Sequence, residues 1–329
     1  MINNKSYYIF LLFLTQVLNL NAYGDSKNIE KKINSTAKLE KYYFPTTTIK
    51  GNLFFTFGAL SESTSSESLQ FTYENKIKLN TSFNGEDNLF TVIESGNASE
   101  NALKLDLQSQ KGDKLKISTL LYRFKLDNEF EAIIGAKTFG YHGLAGKSTA
   151  YNERIAILDG TNYTTSTGVG PSIGISNRKK NGLNTSFKIS SNSSTINNET
   201  MHFISQIGLT KQDFGGTFTA NFNNDFKAYG LATFYKPKKL PSISASIEYK
   251  NDAKSKTTKN WVFALQKSLQ NNKYGIAFGT HNEQEKIGYE AWSEINISDQ
   301  FKIIPVFFAR ENNQINPELG FSINSKFNY

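Results

Sequence analysis

From Lys50 to its last residue the chain alternates in hydrophobicity with a period of two, in segments of roughly 8 to 12 residues parted by Gly, Asn, Asp, Ser or Lys turns. In FTYENKIKLNTSF, Phe71, Tyr73, Ile77, Leu79 and Phe83 share one parity with Asn75 and Thr81. The other parity holds Thr72, Glu74, Lys76, Lys78, Asn80 and Ser82. Neighbouring side chains of an extended strand point to opposite faces, so such a segment carries one greasy stripe and one wet one. The same separation recurs further on. Leu183, Phe187 and Ile189 oppose Asn184, Ser186 and Lys188; Ile243, Ala245, Ile247 and Tyr249 oppose Ser244, Glu248 and Lys250; Phe214, Phe218 and Phe222 oppose Thr217, Thr219 and Asn221. Around Ile287–Ile297 the apolar parity faces Glu290, Trp292 and Glu294.

A chain of this kind is all-β, and two architectures compete for it. A soluble sandwich alternates as well, because each sheet turns one face to a core. A transmembrane antiparallel β-barrel of about 16 strands fits better, since the wet stripe carries Glu and Lys in mid-strand beside Ser and Gly, and strand ends are rich in aromatic residues. The chain closes on ELGFSINSKFNY, in which Phe321, Ile323, Phe327 and Tyr329 alternate up to a terminal aromatic. That ending resembles the signal by which the barrel-assembly machinery recognises outer-membrane barrels. The longest apolar run beyond the N-terminal region, Ile303 to Ala309, is far short of the roughly 20 residues a membrane helix needs. The competing reading is a secreted sandwich or adhesin that holds glycans on Tyr- and Asn-rich loops.

Seventeen candidate strands can be marked between 49–57 and 318–329. Single-chain bacterial barrels carry an even number, so sixteen are expected, with either 49–57 or 102–109 not a wall strand. Pro305 falls inside a strand, where a missing N–H is hard to accommodate. The strand-poor interval 139–167 is long enough to be functional. In a barrel its natural place is the lumen, as an inward-folded constriction loop.

The first 24 residues have secretory-signal anatomy: Lys5, an apolar run from Tyr7 to Leu14, then Ala22 and Gly24. Residues 25–48 form a polar, lysine-rich periplasmic leader, and 49–329 the barrel domain. The whole chain carries 37 basic and 29 acidic residues, and loss of Lys5 with the signal would leave a net charge of +7. The surplus is spread out, which argues against a nucleic-acid patch and suits anionic lipopolysaccharide or an anion-leaning pore. The absence of Cys removes thiol catalysis and thiolate metal sites.

The chemistry-bearing residues fit a conduit better than a catalyst. Constriction candidates in the long interval are His142, Lys147, Glu153, Arg154 and Asp159; lumen-facing candidates are Glu74, Lys76, Lys78, Lys188, Glu248, Lys250, Glu290 and Glu294. Opposed acids and bases at a narrow point would set a transverse field. His142, His202 and His281 lie in separate segments without metal-ligand spacing, so no metal and no cofactor is expected. No nucleophile motif is present, and Gly168–Gly174 lacks the Lys-Ser/Thr of a phosphate loop, so no enzymatic activity is expected.

Several ordered stretches resemble the cyanobacterial porins of the carbohydrate-selective (OprB-type) superfamily. They are Thr81–Asn97, Leu121–Leu126, Phe234–Tyr249, Trp261–Leu269, Tyr274–Gly279 and Phe301–Arg310. The resemblance implies a sixteen-stranded barrel, commonly a homotrimer in lipid and lipopolysaccharide, passing ions, sugars or, in some members, inorganic iron. Many relatives carry an N-terminal S-layer-homology domain, for which residues 25–48 are too few.

Overall fold

The computed structural model describes residues 44–61, 69–97, 114–146, 151, 162–165, 168–192, 200–253, 256–281, 286–311 and 317–329. The wall strands are β1 (Thr46–Leu60), β2 (Leu69–Ser82), β3 (Asn88–Gly96), β4 (Lys116–Lys125), β5 (Phe130–Thr138), β6 (Gly170–Asn177), β7 (Gly182–Asn192) and β8 (Thr200–Thr210). They continue as β9 (Phe214–Phe222), β10 (Phe226–Tyr235), β11 (Ser242–Asp252), β12 (Thr257–Leu269), β13 (Asn272–His281), β14 (Lys286–Asn296), β15 (Phe301–Arg310) and β16 (Glu318–Asn328). Each strand pairs with its neighbours in sequence, and β16 returns to β1 to close the barrel. The result is a transmembrane-type antiparallel β-barrel of sixteen strands. A single closed sheet has no facing partner, so the sandwich architecture is excluded.

Segment 49–57 lies within β1, which begins at Thr46. Segment 102–109 lies outside the described residues. Because β3 pairs directly with β4, the wall has no place between them for a further strand. That resolves the odd count read from the sequence.

The two ends of the barrel differ. Connections after even-numbered strands are short, such as 83–87, 126–129, 211–213 and 270–271, whereas 97–115 and 139–169 follow odd-numbered strands. The short turns close through side chains. Asp127 Oδ1 accepts from the backbone N–H groups of Glu129 and Phe130, each at 2.7 Å, before β5. Between β2 and β3, Asp87 Oδ1 accepts from Ser82 Oγ (2.8 Å), Phe83 N (2.8 Å) and Asn84 N (3.1 Å), and Oδ2 accepts from Tyr122 OH (2.6 Å). Burial alone would raise this carboxyl, but those four donors favour the anion and hold it at about 2.

Alternation in sequence becomes inside and outside in space. Phe71, Leu183, Phe218, Ile247 and Tyr289 lie exposed on the outer face. Their neighbours Thr72, Asn184, Thr217, Glu248 and Glu290 are buried on the inner one. The closure seam is stapled on the outside. Phe327 stacks on Phe301 at 4.3 Å and meets Phe55 edge-on at 6.4 Å, while Phe307 packs on Phe321 at 4.8 Å. The Tyr329 ring lies across Gly51, where a Cβ would stand 2.1 Å from it, and its hydroxyl donates to Asn75 Oδ1 at 2.9 Å. Gly51 is what lets the terminal ring cross β1.

Pro305 also has its physical reason. It lies on the outer parity of β15, in register with Ile323 of β16. On its other side the β14–β15 pairing runs from Trp292↔Val306 to Ile295↔Ile303, and the positions opposite Pro305 and Ile304 drop out without a change of register. The proline therefore interrupts one ladder locally, as its missing donor requires.

Candidate functional site

The inner surface is built from the wet parity of every strand. Glu74, Lys76 and Lys78 occupy it on β2, Lys188 on β7, Glu248 and Lys250 on β11, and Glu290 and Glu294 on β14. Several are balanced by close partners. Lys76 Nζ is 2.6 Å from Glu74, Lys116 is 3.1 Å from Glu94 across β3–β4, and Lys302 is 2.8 Å from Glu294.

The described residues between β5 and β6 that bond the wall do so from inside this surface. The chain leaves where the wall is irregular: register shifts occur in the β3–β4, β4–β5 and β5–β6 pairings. Such bulges bend a strand and re-aim the chain beyond it. Thr138, fully buried at the end of β5, donates to Ser172 Oγ at 2.7 Å. Residues 139–146 then lie along the inner faces of β5 to β9. Lys188, 0 % exposed, donates to the carbonyls of Phe139 (2.5 Å) and Gly140 (3.3 Å). Ser186 Oγ accepts from Ala145 N at 3.2 Å and Gln206 Oε1 from Gly146 N at 2.6 Å. The approach is close enough to demand glycine. A Cβ on Gly143, whose φ is +83°, would stand 2.4 Å from Ile133 Cδ1, and one on Gly146 2.2 Å from Thr217 Cγ2.

Tyr151 is found against a different part of the wall. Its hydroxyl donates to Glu290 and accepts from Trp292 Nε1 at 2.8 Å. Both partners are on β14, whereas Gly146 is bonded to Gln206 on β8. Tyr151 joins an apolar cluster of Trp292, Val262, Ala264, Ile304, Val306 and Phe308, all facing inward. The helical turn Asn162–Thr165 touches β9, β10 and β11, where Thr164 N donates to Glu248 Oε1 at 3.1 Å and its hydroxyl bonds the same oxygen.

Of the constriction candidates, His142 is in this inward path. Its Nδ1 accepts from Phe139 N at 3.1 Å, and its ring meets Tyr141, Phe139 and Phe90. Burial, and then the positive charges of Lys188, Arg123 and Arg178, lower it to about 4, so it is neutral at ordinary pH. Arg178, in the turn after β6, is lowered by burial, partly offset by Glu131. Lys147, Glu153, Arg154 and Asp159 lie outside the described residues. The residues that fasten the segment, Tyr151, Thr164, Ser186, Gln206 and Trp292, were not singled out by charge or motif. Trp292 alone left a signal, a large aromatic on a wet parity.

No family model and no curated protein matches the chain. Its fold, however, recurs among solved structures. An engineered variant of the porin from Rhodopseudomonas blastica superposes with a TM-score of 0.57 at 9 % identity, over 86 % of this chain and 100 % of that one. The fold is porin-like. A triple mutant of the same porin gives 0.56 at 8 % identity with the same coverage. So does a structure described under asymmetric conductivity of engineered proteins, at 0.56 and 11 % identity. At such identities the likeness extends to architecture alone.

Proposed function

We propose that the chain is an outer-membrane porin, a non-enzymatic, water-filled channel through which small hydrophilic solutes diffuse. One observation carries the reading: a closed sixteen-stranded wall is apolar outside and polar inside, with residues 139–146, Tyr151 and Thr164 of its own chain fastened to the inner face. A greasy exterior favours acyl chains. A charged interior needs water or partners, because ionised groups are costly to leave dry.

In this reading residues 139–169 form the constriction, with His142, Lys147, Glu153, Arg154 and Asp159 at or near it. Glu74, Lys76, Lys78, Lys188, Glu248, Lys250, Glu290 and Glu294 shape the field of the lumen. Ions and sugars are the solutes the family resemblance suggests, with inorganic iron as a further one. Residues 1–24 direct export and Phe321, Ile323, Phe327 and Tyr329 present the insertion signal to the assembly machinery. Homotrimers surrounded by lipid and lipopolysaccharide are the expected assembly.

Purified protein added to planar bilayers tests the proposal. Stepwise currents that scale with bulk salt conductivity are expected. A protein that folds into membranes yet gives no steps would contradict it.

A further inference from the structure

Two facing pairs of like charge lie on neighbouring strand pairs toward the short-turn end of the lumen. Lys50 on β1 stands directly opposite Lys78 on β2, and Lys302 on β15 directly opposite Lys326 on β16. Since β16 pairs with β1, these four lysines occupy four consecutive strands, with Lys326 opposite Phe54, four positions along β1 from Lys50. All share the inner parity, Lys50 with buried Thr56, Lys78 with Glu74, Lys302 with Val306 and Lys326 with Asn324. Like charges directly opposite on an antiparallel pair destabilise it, and a carboxylate at either position would reverse the sign. Barrel closure alone therefore gives no reason for two such pairs.

Lys302 and Lys326 have partners of their own, Lys326 Nζ lying 5.0 Å from the centre of the Phe54 ring. Glu294 serves Lys302 at 2.8 Å and Lys273 at 4.0 Å. Neither Lys50 nor Lys78 forms an ion pair with any described residue. Further round the wall at the same end, from β4 to the turn after β6, Arg123 and Arg178 share one carboxylate, Glu131, at 3.8 and 3.2 Å, and the buried Nε of Arg123 has no hydrogen-bond partner. Nearer mid-height the charges are matched one to one, with Glu74 against Lys76 and Glu94 against Lys116.

We propose that this basic mouth makes the channel anion-selective and holds small multivalent oxyanions of the phosphate class between Lys50 and Lys78. The inference rests on the porin reading. A doubly charged anion between two facing ammoniums would turn their mutual repulsion into two attractions. A low-dielectric wall would focus the field of these lysines onto the aqueous path.

The test is a reversal-potential measurement on the full-length protein in planar bilayers under a KCl gradient, repeated with millimolar inorganic phosphate. The expected result is a chloride-to-potassium permeability ratio several-fold above one, and partial block of the current by phosphate. The double variant Lys50→Glu with Lys78→Glu keeps a like-charged facing pair of opposite sign. It should lower the ratio several-fold and abolish the block; Lys50→Gln with Lys78→Gln should do so by less and serves if the first fails to insert. Lys256→Glu, in the connection at the other end, should leave both unchanged. Conductance with a ratio at or below one would overturn the selectivity, as would an equal effect of Lys256→Glu. Indifference of the current to phosphate would overturn the binding, whereas absence of any conductance would overturn the porin reading itself.

Discussion

The inward segment is gripped by two walls of different chemistry. On β7, β8 and β11 the grip is polar: Lys188, Ser186, Gln206 and Glu248 bond the backbone of residues 139–146 and Thr164. On β12 to β15 it is apolar, with Tyr151 set into the Val262, Trp292, Ile304, Val306 and Phe308 cluster and a single hydroxyl bonded to Glu290 and Trp292. The polar wall fixes where the backbone lies, because each bond has a direction. The apolar wall provides the larger burial, which is non-directional. Together they hold the described parts of this connection against the inner wall.

This contrast sets an order of expected effects. Trp292→Ala removes the largest side chain of the apolar grip and should cost about 3–5 kcal/mol. A matching drop in the temperature at which the folded band is lost on unboiled gels would check it, together with raised single-channel conductance as Tyr151 lets go. Lys188→Met leaves the carbonyls of Phe139 and Gly140 without their donor, at about 1–3 kcal/mol. It should raise conductance with a smaller loss of stability, and an effect exceeding that of Trp292→Ala would reverse the ranking of the two walls.

Acid should act on the polar wall first. His142 ordinarily titrates near 6.5 but is held at about 4 when docked. As pH falls from 6.5 to 4, an undocked ring takes up a proton that the docked ring refuses, so docking weakens across that window and changes no further below it. Current noise should therefore grow between pH 6.5 and 4, and His142→Gln should flatten the dependence. The smallest effect is expected at Asp87. Its lowered value stabilises the β2–β3 turn above about pH 3.8 and is lost as pH falls through about 2. Acid-induced unfolding in that range should be shallower in Asp87→Asn.

The same physics decides how much of the fold and of the inward segment was legible in the sequence. Wall strands could be read wherever one face meets an apolar surround and the other does not, as in β2, β7, β9 and β11. β15 reads instead as an unbroken apolar run, Ile303 to Ala309, because Ile304, Val306 and Phe308 cover the inward segment while Ile303, Pro305 and Phe307 face outward. The inward course of the described residues 139–146 could be expected from the length of the interval. Its anchors could not, since Tyr151 and Trp292 are 141 positions apart and meet only after closure. The facing lysines were equally hidden, because facing pairs depend on register, which the alternation of a single strand leaves open.

Cysteine accessibility tests most directly the idea that one parity is wet and the other lipid-facing. The chain has no native Cys, so single replacements on β2 report cleanly. In proteoliposomes, Lys76→Cys and Lys78→Cys should react with a charged, membrane-impermeant thiol reagent, and Ile77→Cys and Leu79→Cys should not. Equal labelling of both parities, or labelling of Ile77→Cys and Leu79→Cys alone, would contradict a water-filled lumen.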